Sequence, residues 1–499
     1  MTSSQTAESN RAMPGVSGMS LYVPSFRVDL EQWCEWTDNS WPKVQAVVGK
    51  SFRVPAPHEN VYTMAANAVL RLIEENDVDP SRVGFLGLGT ESSTDNAAGA
   101  VIVRGMVDGA LAGLGKDRLS RHLEVPEFKH ACLGGVYALK SALRYVRTDG
   151  AGRQAIVVCS DIAEYERGST GEQTQGAGAV AFLIEDDPEL FTVDLDRSGS
   201  ASDYRGPDFR KPFARHWKDQ YARTGDRIAD FPVFSGPYST FSYLDGTVTA
   251  VEEMLRRLDV SAGGYYADVK ALFFHRPYQQ MPVQAMSFLY ARGLARGDHH
   301  HDELRTLCDE AGVEYDEVLR ETTSSPDLFG TLLADGPTNP YAATSAIAAL
   351  LRKKASFREL LEAKMSLGDA VVRDLGNLYS AALPAWIAAG FEDACERNLD
   401  LDDYPMVAVG YGSGDAAESM PLAAAPRWRT AAARIGARQA LTGAIDLSRE
   451  QYEALHDGRS VDGLAGPVPG TFAISRVGET HEPAFQDLAV EYYEFVPQA

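Results

Sequence analysis

Hydrophobic residues recur along this chain with two alternating periods. A short strand is predicted over Gly15–Tyr22, and continuous apolar runs of strand length occupy Val83–Gly89, Ala155–Cys159 within Gln154–Asp161, and Gly176–Ile184. Runs without polar interruption fit strands covered on both faces. Between them lie stretches with helical spacing. Over Asn60–Glu75, residues Met64, Ala65, Ala68, Val69 and Leu72 fall on one helix face. A run rich in Ala, Gly and Val follows Asp95 to about Leu114, and another opens at Cys132 and reaches about Val146. Strands alternating with helices predict a layered α/β protein.

The second half echoes the first. The pattern predicts a strand over Val269–Phe274, a helix over Asn377–Ala389, a strand over Met406–Gly410 and a turn at Gly412-Ser413-Gly414. This helix and strand follow those opened by Cys132 and Ile156 at nearly matching offsets, as duplication of one α/β unit would leave. The predicted organisation is a disordered start (1–12), a first half (13–200), a basic and aromatic connecting segment (201–245) and a second half (246–499). The second half carries a polar helical insertion at about 296–370.

At 499 residues the chain exceeds one small core, and 44% hydrophobic with 23% charged residues is the balance of a soluble globular protein. The cysteines at 34, 132, 159, 308 and 395 are odd in number and form no CxxC pair, which predicts a reducing, cytoplasmic compartment. The first thirteen residues are polar and unlike a signal peptide, and no apolar run is long enough to span a bilayer. A formal charge of −23 argues against nucleic-acid binding. One island breaks that trend: Arg205, Arg210, Lys211, Arg215, Lys218, Arg223 and Arg227. It reads either as a solvated face or as a landing patch for the phosphates of a nucleotide-bearing thioester or a phosphopantetheine carrier. His299-His300-His301 has no second ligand cluster at helical spacing and reads as a solvated loop, so no metal is expected.

Four positions at element ends are candidates for chemistry. Cys132 stands at a helix start, where orphan amides and the macrodipole favour thiolate and nucleophilicity; the alternative is an inert buried thiol. Glu91 follows an apolar strand, where α/β proteins place site residues, or it caps the next helix. His275 ends a strand, as a site residue or a structural one. Asn377 either orients a carbonyl or caps a helix, and the turn at Ser413 suits a backbone amide facing an oxyanion.

Taken together, the motifs resemble the 3-hydroxy-3-methylglutaryl-CoA synthase family of the thiolase superfamily. They are Ala131-Cys132-x-Gly134-Gly135, Thr90-Glu91-Ser92-x-x-Asp95, His275-x-Pro277-Tyr278, Thr174-Gln175-Gly176-Ala177-Gly178, Gly376-Asn377-Leu378-Tyr379, Gly410-Tyr411-Gly412-Ser413-Gly414 and Ser160-Asp161-Ile162-Ala163. Their order and spacing also resemble the family's, from about residue 15 to about 460. The resemblance implies a duplicated, thiolase-like α-β-α-β-α fold and a homodimer. It implies that Cys132 carries an acyl group, that Glu91 removes a proton from the acyl methyl, and that His275 and Asn377 hold the acceptor carbonyl. The amides of Cys132 and the Ser413 turn would hold the thioester oxygen, with Tyr379 and Asp161 orienting groups. Arg205, Arg210, Lys211 and Arg276 are the candidates for phosphate or carrier docking.

On this reading the substrates are acetyl-CoA or an acyl carrier protein thioester and a β-keto thioester or related ketone acceptor. No metal and no tightly bound cofactor is expected. The sequence departs from the family after His-x-Pro, where CoA-using synthases typically carry lysines; here Tyr278-Gln279-Gln280-Met281-Pro282-Val283-Gln284 contains none. That departure favours specialised, polyketide-type metabolism. Two competing readings are a Cys-dependent acyltransferase to a non-thioester acceptor and a non-catalytic scaffold of the same fold.

Overall fold

The computed structural model describes residues 13–96, 98–212, 231–297 and 300–497. The expected disordered start therefore lies outside the described residues. Ten strands build one continuous mixed sheet. In chain order they are β1 (Gly15–Tyr22), β2 (Val83–Gly89), β3 (Glu127–Phe128), β4 (Gln154–Ala163), β5 (Gly176–Glu185), β6 (Phe191–Val193), β7 (Gly199–Ser202), β8 (Ala271–Phe274), β9 (Pro405–Gly412) and β10 (Ala416–Ala424). The helices that matter for the site are α1 (Val61–Glu75), α2 (Gly99–Gly113), α3 (Gly134–Arg147), α4 (Gly236–Leu258), α5 (Gln280–Arg296) and α6 (Ala382–Glu396).

Strand order runs β8-β9-β10-β6-β1-β5-β4-β2-β3, with β7 paired to β10. In the first half β2 is parallel to β4, and β4 is antiparallel to β5. In the second half β8 is parallel to β9, and β9 is antiparallel to β10. Helix α3 precedes β4 as α6 precedes β9, so the echo in the hydrophobic pattern is a repeated structural unit. The two units join where β1 pairs with β6.

The layers follow from strand alternation, which sends successive side chains to opposite faces. Along β4, Ala155, Val157 and Cys159 join the core that contains α3 and α6, while Ile156 and Val158 join the core under α1 and α2. Helix α4 covers the second half's strands from outside, packing on β7, β9 and β10, with α5 against it. Helix, sheet, helix, sheet and helix layers result. Two glycines permit the middle layer to sit close to both halves. A Cβ on Gly135 of α3 would lie 2.3 Å from Cys159 Sγ of β4, and one on Gly412 of β9 would lie 2.6 Å from the His130 carbonyl.

Three local expectations are corrected. Helix α6 begins at Ala382, not Asn377. The Asn377 side chain accepts a hydrogen bond from Tyr379 N at 2.9 Å, Tyr379 takes φ 46°, and a 3₁₀ turn intervenes. Pro384, which cannot donate from within a helix, is thereby held in the first turn. The 296–370 segment is not simply polar: its helices, among them His301–Ala311, Tyr315–Thr323 and Ala342–Leu351, bury Leu304, Leu307, Val318, Ile347 and Leu351. Helix α4 runs unbroken through residue 245, where the connecting segment was expected to end.

Overpacking the middle layer should cost stability. Gly135→Ala is expected to lower it by about 1–3 kcal/mol, read as a lower denaturant midpoint, whereas Gly105→Ala, whose added Cβ meets nothing within 4 Å, should not.

Candidate active site

Cys132 lies in the turn that leads from β3 into α3. Ala131 takes φ 43°, a conformation that non-glycine residues rarely adopt, and Leu133 N donates to the His130 carbonyl at 2.9 Å. The turn aims the sulfur across to the end of β2, where Cys132 Sγ donates to Glu91 Oε2 at 3.3 Å. The expected thiolate-favouring helix terminus does not govern this group. Helix α3 starts two residues later, and burial together with the Glu91 carboxyl pushes the thiol well above its ordinary pKa.

Glu91 is not a helix cap. Helix α2 begins only at Gly99, and the carboxylate facing that residue's amide is Glu127, at 3.1 Å. The Glu91 turn is held instead by Asp161 at the end of β4. Asp161 Oδ1 accepts from Thr90 Oγ1 at 3.0 Å, Glu91 N at 2.8 Å, Ser92 N at 2.8 Å and Ser92 Oγ at 2.6 Å. Its other oxygen accepts from Ser380 N at 3.0 Å and Ser380 Oγ at 2.5 Å, reaching into the second half. Burial, reinforced by the Asp161 charge, pushes the Glu91 carboxyl up to about 8; the Cys132 hydrogen bond and the charges of Lys211 and Lys129 oppose that rise.

The second half supplies the opposite wall. His275 follows β8; its amide donates to the Val409 carbonyl at 2.7 Å, and its own carbonyl accepts from the Tyr243 hydroxyl at 3.0 Å. Burial pushes its imidazole down to about 3, so the ring is neutral at working pH, and its Nδ1 has no hydrogen-bond partner among the described residues. Asn377 is buried, with its amide nitrogen 3.4 Å from the Tyr165 hydroxyl. Cys132, His275, Asn377, Ser413 and Tyr165 line one cavity of about 340 Å³. Glu91 and Tyr379 line a second, of about 250 Å³. Tyr165 and Tyr379 meet edge to face between the two, with ring centroids 6.2 Å apart.

Tyr165 is the site residue that sequence reasoning missed, although it follows the Ser160-Asp161-Ile162-Ala163 motif by two positions. The docking candidates divide. Arg205 is buried and ion-paired with Asp203, Asp245 and Asp415, so it is structural. Arg276 is likewise buried, 2.8 Å from Asp369 and stacked over Trp386. Arg210 is exposed, with its backbone bridged to Val233, and Lys211 lines the second cavity. Arg215, Lys218, Arg223 and Arg227 lie outside the described residues, as does His299. His301 opens a helix and hydrogen-bonds Tyr315; among the described residues no cluster of His, Cys, Asp or Glu is arranged to hold a metal. Among them, too, no helix is long and apolar enough to cross a membrane.

A duplicated five-layer fold with a cysteine at the start of a middle-layer helix is a thiolase-type architecture. Comparison with known proteins narrows it. Residues 11–189 match the family described as hydroxymethylglutaryl-coenzyme A synthase N terminal. The chain is 26% identical over 413 residues to the hydroxymethylglutaryl-CoA synthase of Haloferax volcanii, covering 81% of each chain. It is 26% identical over 411 residues to hydroxymethylglutaryl-CoA synthase A of Dictyostelium discoideum, covering 81% of this chain and 74% of that one. Among solved structures, MvaS in complex with 3-hydroxy-3-methylglutaryl coenzyme A superposes with a TM-score of 0.74 at 24% identity, covering 97% of this chain and 99% of the other. The chain is thus similar in sequence to hydroxymethylglutaryl-CoA synthases and shares their thiolase-type fold.

Two consequences are measurable. The Glu91 pKa rises from 4.5 to about 8 on folding, so the native state holds a proton that the unfolded chain releases. The resulting stabilisation is complete below about pH 4.5 and is lost as pH rises through about 8. Relative to wild type, Glu91→Gln should therefore gain stability across that window and stay level beyond it, in denaturant titrations at stepped pH. Asp161→Asn places a donor amide among donors and should cost about 2–3 kcal/mol, seen as a lower denaturant midpoint.

Proposed function

We propose that this protein condenses a Cys132-bound acyl group with the ketone of a β-keto thioester, forming a carbon–carbon bond. The observation that carries the reading is the Cys132 Sγ–Glu91 Oε2 approach of 3.3 Å, which sets a proton acceptor beside the atom that would bear the acyl group. A carboxyl pushed up to about 8 is basic enough to take an acyl α-proton and acidic enough to return it. In the first step Cys132 Sγ attacks the thioester carbonyl and expels the thiol of CoA or of a phosphopantetheine arm, giving an acyl-enzyme. Glu91 then removes the α-proton, and the resulting enolate attacks the acceptor ketone. The alkoxide receives the proton from Glu91, and water releases the product from Cys132.

Neutral His275 and the amide of Asn377 are suited to hold the acceptor carbonyl, since neither brings a competing charge. The amides of Cys132 and the Ser413 turn serve the thioester oxygen. Simple acyl transfer to a non-thioester acceptor does not require an enolate-forming base at the Glu91 position, which argues against that reading.

No lysine or arginine is found among the described residues lining the 340 Å³ cavity. Such a lining suits the pantetheine arm that CoA and an acyl carrier share. The likeness to the curacin-pathway HMG synthase in complex with holo donor-ACP, with a TM-score of 0.67 and 20% identity over 97% of this chain, accords with polyketide-type metabolism. The active species is read as a cytoplasmic homodimer.

Intact-mass spectrometry tests the scheme. Wild type incubated with acetyl-CoA or acetyl-carrier protein should gain one acetyl group, and Cys132→Ala none. Glu91→Gln should still be acetylated but should condense with acetoacetyl thioesters roughly 10²–10⁴-fold more slowly. Acetylation of Cys132→Ala to the wild-type extent would overturn the proposal.

A further inference from the structure

The turn from Thr90 to Asp95 carries Glu91, and two separate anchors hold it. Asp161 fixes Thr90, Glu91 and Ser92 from the sheet side. The residues that follow are held by Tyr62, from the first turn of α1. Its hydroxyl lies 2.8 Å from Ser93 Oγ and accepts from Asp95 N at 3.1 Å. Lys129 Nζ donates to the Ser93 carbonyl, and Ser93 N donates to Thr90 Oγ1 at 3.2 Å, closing the turn.

Tyr62 is itself held by the C-terminal part of the chain. Past residue 460, β11 (Phe472–Val477) and β12 (Glu491–Phe495) pair antiparallel as a two-stranded ribbon. Phe472 N donates to Asn67 Oδ1 at 2.9 Å and Ile474 N to the His58 carbonyl at 2.8 Å, which ties the ribbon to α1. Asn60 caps α1 by accepting from Tyr62 N and Thr63 N, each at 2.9 Å. Its Nδ2 donates to Glu491 Oε2 at 2.5 Å and to Tyr493 Oη at 3.2 Å. Tyr493 donates in turn to Glu491 Oε2 at 3.0 Å and meets the Tyr62 ring edge to face, with centroids 6.4 Å apart. Tyr62 and Glu491 line the same cavity of about 250 Å³ as Glu91.

Given the role of Glu91 in the proposed condensation, we infer that Tyr62 and Glu491 are positioning residues for it, and that the C-terminal ribbon holds the base opposite Cys132. The 3.3 Å approach of Glu91 to Cys132 joins two turns, and neither residue lies within a helix or a strand. A side chain on a turn is placed only as well as the turn itself, and a displacement of about 1 Å at reacting atoms costs roughly 10²-fold in rate. Packing alone does not account for the polar groups. A phenylalanine at position 62 would keep the ring contact with Tyr493 and lose only the bonds to Ser93 and Asp95. Both donors to Glu491, Asn60 and Tyr493, contact Tyr62, so that carboxylate acts on the Glu91 turn through one chain of residues.

The test is kinetic and uses the full chain, with acetyl and acetoacetyl groups supplied on CoA and on a carrier protein. Single-turnover acetylation of Cys132 is followed by intact mass, and condensation separately by product mass. Tyr62→Phe and Glu491→Ala should be acetylated at the wild-type rate but condense roughly tenfold or more slowly. Glu491→Gln, which keeps an acceptor for Asn60, should recover most of that loss. The double variant should be no slower than the slower single one, because both changes act through the same contacts. Wild-type condensation in both single variants, equal losses in acetylation and condensation, or losses that multiply in the double variant would overturn this inference and leave the condensing function intact. A wild-type chain that is not acetylated by either donor, or that never condenses, would overturn both.

Discussion

The Asp161 carboxylate is the interaction on which the site depends. It lies fully buried at the end of a central strand and accepts hydrogen bonds from the Thr90–Ser92 turn through one oxygen and from Ser380 through the other. A buried carboxylate is costly unless its lone pairs are met, and here donors converge on both oxygens. Those donors come from opposite halves of the duplicated fold. One anion thus fixes the turn that bears Glu91 and the entry to the helix beside Asn377. Burial raises the pKa of Asp161 itself, and the Ser380 and Ser92 hydrogen bonds pull it back.

Around that hub the reacting groups are kept neutral by burial rather than charged by partners. The thiol, the imidazole and the Glu91 carboxyl each shift toward the uncharged form, with desolvation the first cause in every case. Charges that develop during reaction would arise in a dry setting, where fixed dipoles act most strongly.

Much of this was legible in the sequence because the signals were local. Apolar runs located the central strands, and short motifs at strand ends located Glu91, Cys132, His275 and Asn377. What was not legible depended on distant partners. Arg205 and Arg276 looked like docking cations until Asp245, Asp415 and Asp369 proved to be their neighbours, far along the chain. The thiol's pKa was misread for a related reason: the macrodipole rule looks at adjacent residues, while burial in the folded chain raises it most and the Glu91 carboxyl, from the turn after β2, adds to that rise. The late start of α6 reflects a side chain, Asn377, bonding its own backbone, which hydrophobic periodicity does not register.

The sheet's single junction, where β1 pairs with β6, has a consequence for how such a protein diverges. Nucleophile and base descend from one copy of the repeat, while the residues facing the acceptor descend from the other. Each copy can then drift under its own selection, one fitting the group that is loaded and the other the group that is attacked. The residues around Asp161, which tie the copies together, must change in concert.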